Sequence, residues 1–359
     1  MQEIIEKMVR QVQEKTKEKE FIEKHKSSKE NFTRKRSFGF GETVKFVIGN
    51  LGTTLDFEVL NYFSGEEKAV TPSAVSQARD KIKYSAFEEI FKESSKEIPI
   101  YHTYRGYRLT AYDGIKGELP RTAELMKKGS VSEGNNYPQF HAIAEYDVLN
   151  CCYTNAIFKI GAADERSAAM ELMRKHEYAG AEIYIVDRGF PSVGMIQQLE
   201  KSGKKYVMRI QKSFLREINE FGKSNETDKL IRIECDKRRG TTGKLKGVEL
   251  PYSFAVRCVK IELDSGETEI LATNLDKPEF SRKDIGELYS LRWNIETGFL
   301  HLKYAVCIED FMGVKENSIK QEFFASLFKA NLFMQFVAVA NDIIYNKKNR
   351  IRNTNTKPT

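Results

Sequence analysis

Residues 181 to 190 read AEIYIVDRGF, and this stretch decides the fold class of the chain. Its apolar run, Ile183 to Val186, is uninterrupted and stops at Asp187. A continuous apolar run of this length predicts a strand buried on both faces, which is typical of a mostly parallel sheet covered by helices. Open α/β sheets place their sites at the carboxyl ends of such strands. Asp187 is therefore a candidate site residue, although an aspartate that follows a strand is also common in ordinary turns.

A second strand with an aspartate lies upstream. Residues 107 to 114, YRLTAYDG, have the pattern of a strand that ends in Asp113-Gly114, and Asp-Gly is also a common turn. From 105 to 210 the pattern predicts three strands, a helix at 165 to 176, the strand that ends at Asp187, a helix at 193 to 202 and a strand at 206 to 210. This alternation predicts an α/β sheet with flanking helices.

Four polar residues recur at helical spacing inside ELYSLRWNIETGFLHLKY, residues 287 to 304: Tyr289, Arg292, Glu296 and Lys303. At about 100° per residue they fall on one face of a single helix, beside an apolar stripe. Ser281 and Asp284 predict a capping box at the start of that helix. A carboxylate among an arginine, a lysine and a tyrosine suits a metal ion and phosphates together. The alternative is a solvated face with local ion pairs.

The three acidic positions gain meaning when they are taken together. Asp113 and Asp187 end two predicted strands, and Glu296 lies on the predicted helix. Two strand-end aspartates and one helical glutamate form the carboxylate set of a two-metal phosphoryl-transfer site. We therefore interpret Asp113, Asp187 and Glu296 as candidate catalytic and metal-ligating residues.

These motifs resemble those of bacterial insertion-sequence transposases of the DDE class, in the insertion sequence 4 family with its Tyr-Arg-Glu-Lys signature. The spacing Y-x2-R-x3-E-x6-K is met at every position by residues 289 to 303. The family's aspartate followed by a Gly-aromatic pair is matched at 187 to 190, and its apolar strand ending in Asp-Gly at 112 to 114. The similarity extends over residues 38 to 340.

The resemblance implies the architecture in more detail. It implies a ribonuclease H-like mixed sheet with flanking helices, interrupted by a β-rich insertion, and an N-terminal helical domain. The implied divisions are a charged N-terminal arm at 1–37, a helical DNA-binding domain at 38–100, the first part of the catalytic core at 101–210, the β-rich insertion at 211–277, the second part of the core at 278–345 and a polar tail at 346–359.

The resemblance also implies an activity. A protein of this family binds the terminal inverted repeats of its own mobile element, cleaves the ends by two-metal phosphoryl transfer and joins them to target DNA, with a hairpin intermediate on the transposon end. Two Mg²⁺ ions, or Mn²⁺ as a substitute, would be held by Asp113, Asp187 and Glu296. The residues implied in DNA binding are Tyr289, Arg292 and Lys303, with Arg188 and Arg209 as lesser candidates.

The implied partners are double-stranded DNA, at the transposon ends and at the target, and a second copy of the chain in a synaptic homodimer. No small-molecule cofactor is expected. Two alternatives remain open: a ribonuclease H-like nuclease that cleaves without joining, and a domesticated sequence-specific DNA-binding protein. The intact acidic set disfavours the second, and the Tyr-Arg-Glu-Lys spacing disfavours the first.

Composition agrees with a nucleic-acid partner without requiring one. The 359 residues carry a net charge of +7, and the sequence pI is near 8.9. The five cysteines lack zinc-site spacing, which favours a reducing cytoplasm. The N-terminus has no apolar leader, and polar residues interrupt the apolar stretch 323 to 344, which predicts a core helix without a membrane span. We expect a bacterial cytoplasmic, nucleoid-associated protein.

Three further segments have two possible interpretations each. The helix predicted from Thr71-Pro72 onward either presents Ser73, Ser76, Gln77 and Arg79 to a DNA groove or belongs to an ordinary helical hairpin. The basic turn at 236 to 247 either contacts DNA or is a plain hairpin end. The Lys/Glu-rich N-terminal arm is expected to be solvated or frayed, with phosphate contact as the alternative.

Overall fold

The computed structural model describes residues 2–34, 38–65, 70–128, 131–132, 135–176, 178–235, 249, 252–263, 265–304, 308 and 310–354. Its strands are β1 (Arg108–Glu118), β2 (Val131–Ser132), β3 (Asn135–Asn136), β4 (Gln139–Asp147), β5 (Cys152–Ile160), β6 (Glu182–Val186), β7 (Lys205–Ile210), β8 (Asp228–Cys235), β9 (Tyr252–Glu262) and β10 (Thr268–Thr273). Its helices are α1 (Gln2–Lys15), α2 (Lys19–His25), α3 (Phe40–Gly49), α4 (Leu55–Tyr62), α5 (Pro72–Arg79), α6 (Ser85–Lys96), α7 (Ala123–Met126), α8 (Glu165–Lys175), α9 (Val193–Lys201), α10 (Arg216–Lys223), α11 (Arg282–Ser290), α12 (Trp293–Tyr304) and α13 (Glu316–Thr354).

A mixed eight-stranded sheet organises the fold, as the sequence predicts for an α/β protein. Its strand order is β5-β4-β1-β6-β7-β10-β9-β8. The pairs β1–β6 and β6–β7 are parallel, and the other pairs are antiparallel. All five residues of β6 are buried, which confirms the strand expected from the run that ends at Asp187.

Helices cover both faces of this sheet. Alternate residues of β1 and β6, such as Ala111 and Ile185, belong to one apolar core together with buried residues of α11, α12 and α13. Their neighbours Tyr112 and Val186 belong to a second core with α8 and α9. Because side chains alternate across a strand, Asp113 and Asp187 face the first core.

The strands of the expected β-rich insertion continue the same sheet. β10 pairs with β7, and β9 and β8 follow in order beyond it. This segment is therefore attached edge to edge to the central strands. The basic turn predicted to lean on DNA, with Lys237, Arg238, Arg239, Lys244 and Lys246, lies outside the described residues.

The N-terminal arm is not frayed, which corrects the expectation from its charge. Residues 2–15 and 19–25 form α1 and α2, and Met8, Val12 and Phe21 are buried in the first core. The spacing of Met8 and Val12 places both on one face of α1, which contacts α6 and α13. A few apolar residues at helical spacing were enough to dock a segment rich in Lys and Glu.

The last helix runs further than expected. α13 spans Glu316–Thr354, beyond the predicted end near residue 345, and contains neither Gly nor Pro. By length and composition its part Glu316–Ala340 could cross a membrane, but half of the most apolar stretch is buried inside the protein. α13 packs against α6, α3 and β5, so we describe it as a core helix.

Candidate active site

Three neighbouring strands bring charged side chains to one face of the sheet. Ala111, Ile185 and Val207 lie opposite one another across β1, β6 and β7. Asp113, Asp187 and Arg209 each follow one of these residues by two positions, so their side chains lie on the same face, that of the first core. β1 continues past Asp113 because it remains paired with β4, whereas its pairing with β6 stops at Tyr112. Asp113 thus lies at the end of the parallel pairing, and the prediction that it ends its own strand was wrong.

The helix that carries the Tyr-Arg-Glu-Lys residues is divided into two parts. α11 begins at the predicted capping box, in which Ser281 and Asp284 bond each other's backbone N–H, and ends at Ser290. α12 begins at Trp293. Around the break the backbone N–H of Arg292 bonds the carbonyl of Tyr289, three residues back, and Asn294 and Ile295 repeat this pattern. These tighter i−3 bonds replace i−4 bonds, so the prediction of one continuous helix was wrong.

Arg292 lies between two of the three predicted carboxylates. Its Nη1 lies 3.3 Å from Asp113 Oδ2, and its Nη2 donates to Glu296 Oε1 at 2.7 Å. The guanidinium is only 4% exposed and lies against the rings of Tyr289 and Trp293. The fold therefore joins Asp113 and Glu296, which are distant in sequence, through one buried cation.

Asp187 has different partners. The Tyr289 hydroxyl donates to Asp187 Oδ1 at 2.7 Å, and Arg209 Nη1 lies 3.6 Å from the same oxygen. Arg209 Nη2 lies 2.7 Å from Glu269 Oε1, on the adjacent strand β10. All three predicted acidic residues are therefore in contact with cationic or hydroxyl groups that the sequence also singles out.

The two aspartates differ in acidity. Burial raises the pKa of Asp113 to about 6; the Gly114 backbone N–H and the Arg292 charge oppose this shift, while Glu296 and Asp187 add to it. Burial also disfavours the charged form of Asp187, but the Tyr289 hydrogen bond and nearby N–H and arginine groups outweigh it, so its pKa is lowered. Asp187 is the firmer anion, and Asp113 depends on a nearby positive charge to ionise.

The donor set suits a hard divalent cation. The side chains of Asp113, Asp187 and Glu296 are 22%, 29% and 37% exposed, and they offer only carboxylate oxygens. Within the described part of the chain, no three His, Cys, Asp or Glu residues lie close enough for a ready-made metal site. Arg292 separates two of the carboxylates, and its buried Nε has no hydrogen-bond partner among the described residues. The residues fit such an ion if Arg292 gives up its contacts.

The remaining predicted residues surround this centre at different depths. Arg188, next to Asp187, is exposed. Lys303 lies in the last turn of α12, seven residues after Glu296, and is partly buried. At 1.5 Å per residue it lies about 10 Å further along the helix. Arg188 and Lys303 are therefore peripheral to the contacts that join the carboxylates.

Two residues at the site escaped the sequence analysis. Glu269 anchors Arg209, and Arg166 donates from Nε and Nη2 to the carbonyls of Phe190 and Gly189 in the loop after Asp187. Glu269 lies two residues before buried Leu271, which predicts the face of the strand that Glu269 occupies. Its partner Arg209 could not be predicted, because the register of β10 against β7 is a long-range feature. Arg166 gave no signal beyond its position at the start of a helix.

The N-terminal helices present fewer candidate DNA contacts than expected. α5 begins at the predicted Thr71 cap, whose side chain accepts the Ala74 N–H, and Ser73, Ser76 and Gln77 are exposed. Arg79 is buried, where it contacts Glu322 and Gln321 of α13. The prediction that Arg79 faces a DNA groove was wrong, because this side chain instead joins α5 to α13.

Similarity to known proteins agrees with this geometry. The profile of the family described as "Transposase DDE domain" matches residues 104–332, more than half of the chain. The chain belongs to the transposase DDE domain family, and its resemblance to bacterial insertion-sequence transposases is confirmed.

Individual relatives carry insertion-sequence names. The chain is 22% identical over 249 residues to "Transposase InsG for insertion sequence element IS4" of Escherichia coli (strain K12), covering 67% of this chain and 54% of that protein. It is 26% identical over 231 residues to "Putative transposase InsL for insertion sequence element IS186A" of the same organism, covering 55% and 60%. The chain thus spans little more than half the length of these relatives.

Among solved structures, the chain is similar to the piggyBac transposase in a cryo-EM structure of its synaptic complex with hairpin DNA. The TM-score is 0.48 at 10% identity, and the match covers 81% of this chain and 63% of that one.

Proposed function

We propose that this chain is a DNA transposase that binds the terminal inverted repeats of an insertion sequence, cleaves the ends by metal-dependent phosphoryl transfer and joins them to target DNA. The observation that carries the proposal is the meeting of Asp113, Asp187 and Glu296 around Arg292 and Tyr289, inside the region matched by the transposase family. The order of three antiparallel strands, helix, strand, helix and strand also supports a ribonuclease H-like core.

Three carboxylates would hold the metal ions. Burial raises the pKa of Asp113, so its ionised form depends on a nearby cation. Asp113 would hold the metal ions together with Asp187 and Glu296. Two Mg²⁺ ions, or Mn²⁺, would supply activation of the attacking water or 3′-OH and stabilisation of the leaving oxygen.

The cations and the tyrosine would bind the DNA backbone. Arg292 has a planar fork that suits a phosphate, but here it is engaged with Asp113 and Glu296. Its transfer from carboxylates to a phosphate is therefore part of the proposal. Lys303 would contribute a point charge further along α12, and the Tyr289 hydroxyl, which donates to Asp187 here, would transfer that hydrogen bond to a phosphate. Arg188 and Arg209 are lesser candidates beside Asp187.

Recognition and assembly complete the proposal. The helical region 38–100 would recognise the transposon ends through exposed residues of α5 such as Ser73, Ser76 and Gln77. Holding two ends together requires two copies of the chain, and a bacterial cytoplasmic, nucleoid-associated location follows from the substrate.

The test uses a duplex that carries the terminal inverted repeats of the element, identified as matching inverted sequences on either side of the gene. With Mg²⁺ or Mn²⁺ the chain should cleave at the repeat ends and join them to a second duplex, and with Ca²⁺ it should assemble without turnover. Cleavage without joining would favour the nuclease, and specific binding without cleavage would favour a domesticated DNA-binding protein. Mutating the repeats in the same duplex controls for nonspecific nicking.

A further inference from the structure

We propose that Glu269 is a positioning residue that holds Arg209 back from Asp187, so that the Asp187 carboxylate stays available to a divalent cation. This inference rests on the proposed function, because it concerns the metal role of Asp187. Glu269 lies outside every motif that identifies the site, in the strand that begins the extension of the sheet beyond β7.

The register of two strands creates the contact. Leu271 of β10 lies opposite Arg209 of β7, so Glu269, two residues before Leu271, has its side chain on the same face and diagonal to Arg209. One guanidinium then reaches two carboxylates: Nη2 lies 2.7 Å from Glu269 Oε1, and Nη1 lies 3.6 Å from Asp187 Oδ1. The shorter contact is with Glu269, so that residue holds the arginine and Asp187 receives only a long contact.

The burial of Glu269 explains why the arginine stays with it. The Glu269 side chain is 10% exposed, compared with 29% for Asp187. A nearly buried carboxylate depends on its counter-ion more than a partly solvated one does, because water cannot replace the lost partner. Arg209 therefore remains with Glu269 and leaves Asp187 with its Tyr289 hydrogen bond and an accessible carboxylate.

Loss of the Glu269 charge should reverse this distribution. Arg209 would be free to form a close ion pair with Asp187, and a paired Asp187 would attract a divalent cation less strongly. Glu269 thus acts on the metal site only through Arg209. That feature separates a positioning role from a general contribution to folding.

The experiment measures Mn²⁺ affinity of the full chain without DNA, from the electron paramagnetic resonance signal of free Mn²⁺ at pH 7.5. Glu269→Gln should weaken binding by about tenfold, equivalent to about 1.4 kcal/mol. Glu267→Gln is the matched control, since it removes the same charge from an exposed side chain two residues earlier and should leave the affinity unchanged.

A second substitution distinguishes positioning from disruption. In the Glu269→Gln background, Arg209→Gln should restore most of the lost affinity, because the competing cation is gone. Unchanged affinity in Glu269→Gln would overturn the proposal, and so would a loss that Arg209→Gln does not restore. If Glu269→Gln fails to fold, Arg209→Gln alone decides: it should bind Mn²⁺ at least as tightly as the native chain, and weaker binding overturns the proposal.

The failure of the underlying function gives a different result. Asp113→Asn, which leaves Glu269 and Arg209 intact, should abolish Mn²⁺ binding at this site. A native chain without measurable Mn²⁺ binding, or an Asp113→Asn chain that binds normally, would contradict the metal site itself. If the native chain binds Mn²⁺, the Asp113→Asn chain does not, and the Glu269→Gln chain binds as tightly as the native chain, only the role of Glu269 is contradicted.

Discussion

Arg292 contacts Asp113 across 179 positions of the sequence and, through its other terminal nitrogen, contacts Glu296 one helical turn away. The guanidinium thereby takes the place between two carboxylates that a divalent cation would need. Arg292 and a divalent cation cannot both lie between Asp113 and Glu296, because the two positive charges would repel each other at short range. Arg292 therefore links Asp113 to Glu296.

Arg292→Gln should therefore tighten Mg²⁺ binding and yet impair cleavage. The substitution removes a competing cation from Asp113 and Glu296, but it also removes a fork suited to phosphate. Isothermal titration calorimetry gives the affinity. Weaker Mg²⁺ binding in Arg292→Gln would show that the arginine supports the metal site and does not compete with it.

Trp293 offers a direct report on the same movement. It is the only tryptophan in the chain, and the Arg292 guanidinium carbon lies 5.3 Å from its ring centroid. Mg²⁺ titration should change Trp293 fluorescence in the native chain, because the Arg292 guanidinium moves away from the indole ring. Arg292→Gln should bind Mg²⁺ without that change. An identical fluorescence change in both chains would contradict the movement of Arg292.

The raised pKa of Asp113 predicts a pH-dependent stability in the absence of metal. The folded chain holds this proton up to about pH 6, whereas an unfolded chain releases it near the ordinary value of 3.8. The native state therefore binds more protons between these values, so this residue's contribution to the free energy of unfolding falls as pH rises from 4 to 7.

Asp113→Asn should remove that dependence. Between pH 4 and pH 8 the native chain should lose about 2 kcal/mol more of its free energy of unfolding than the Asp113→Asn chain does. Urea denaturation with a chelator present measures it. A pH-independent difference would mean that burial does not raise the pKa of Asp113 in the folded protein.

The buried pair of Arg79 and Glu322 should matter for stability. Both side chains are nearly inaccessible, and the pair joins α5 to α13. Arg79→Ala leaves Glu322 buried without its counter-ion and should lower the free energy of unfolding by about 3 to 5 kcal/mol. Lys315→Ala is the control, because its ion pair with Asp80 is exposed and should contribute less than about 1 kcal/mol. Similar small losses in both variants would contradict the structural role of Arg79.

Lys303 can be tested as a phosphate contact. Each contact with duplex DNA contributes about 0.9 to the slope of log affinity against log salt, so Lys303→Ala should make the slope shallower by about one unit without changing sequence preference. Lys283→Ala, an exposed lysine of α11, is the matched control. An unchanged slope in Lys303→Ala would remove this residue from the DNA interface.

Local sequence patterns anticipated much of this molecule, and long-range contacts account for what they missed. The apolar run before Asp187 predicted β6, and the Ser281 cap predicted the start of α11. No Pro or Gly marks the break between α11 and α12, so the pattern gave no sign of it. The burial of Arg79 and the Glu269–Arg209 contact depend on partners 243 and 60 positions away, which spacing along the chain does not reveal.

We propose that Asp113, Asp187 and Glu296 together hold the metal ions for strand cleavage. The most direct test is the cleavage rate of Glu296→Ala on a duplex with the element's inverted repeats in Mg²⁺, alongside its affinity for that duplex. We predict a fall in rate of more than about a hundredfold, since even outer partners of metal ligands change activity by about 10- to 100-fold, with end binding largely retained. Cleavage at the native rate by Glu296→Ala would contradict the assignment.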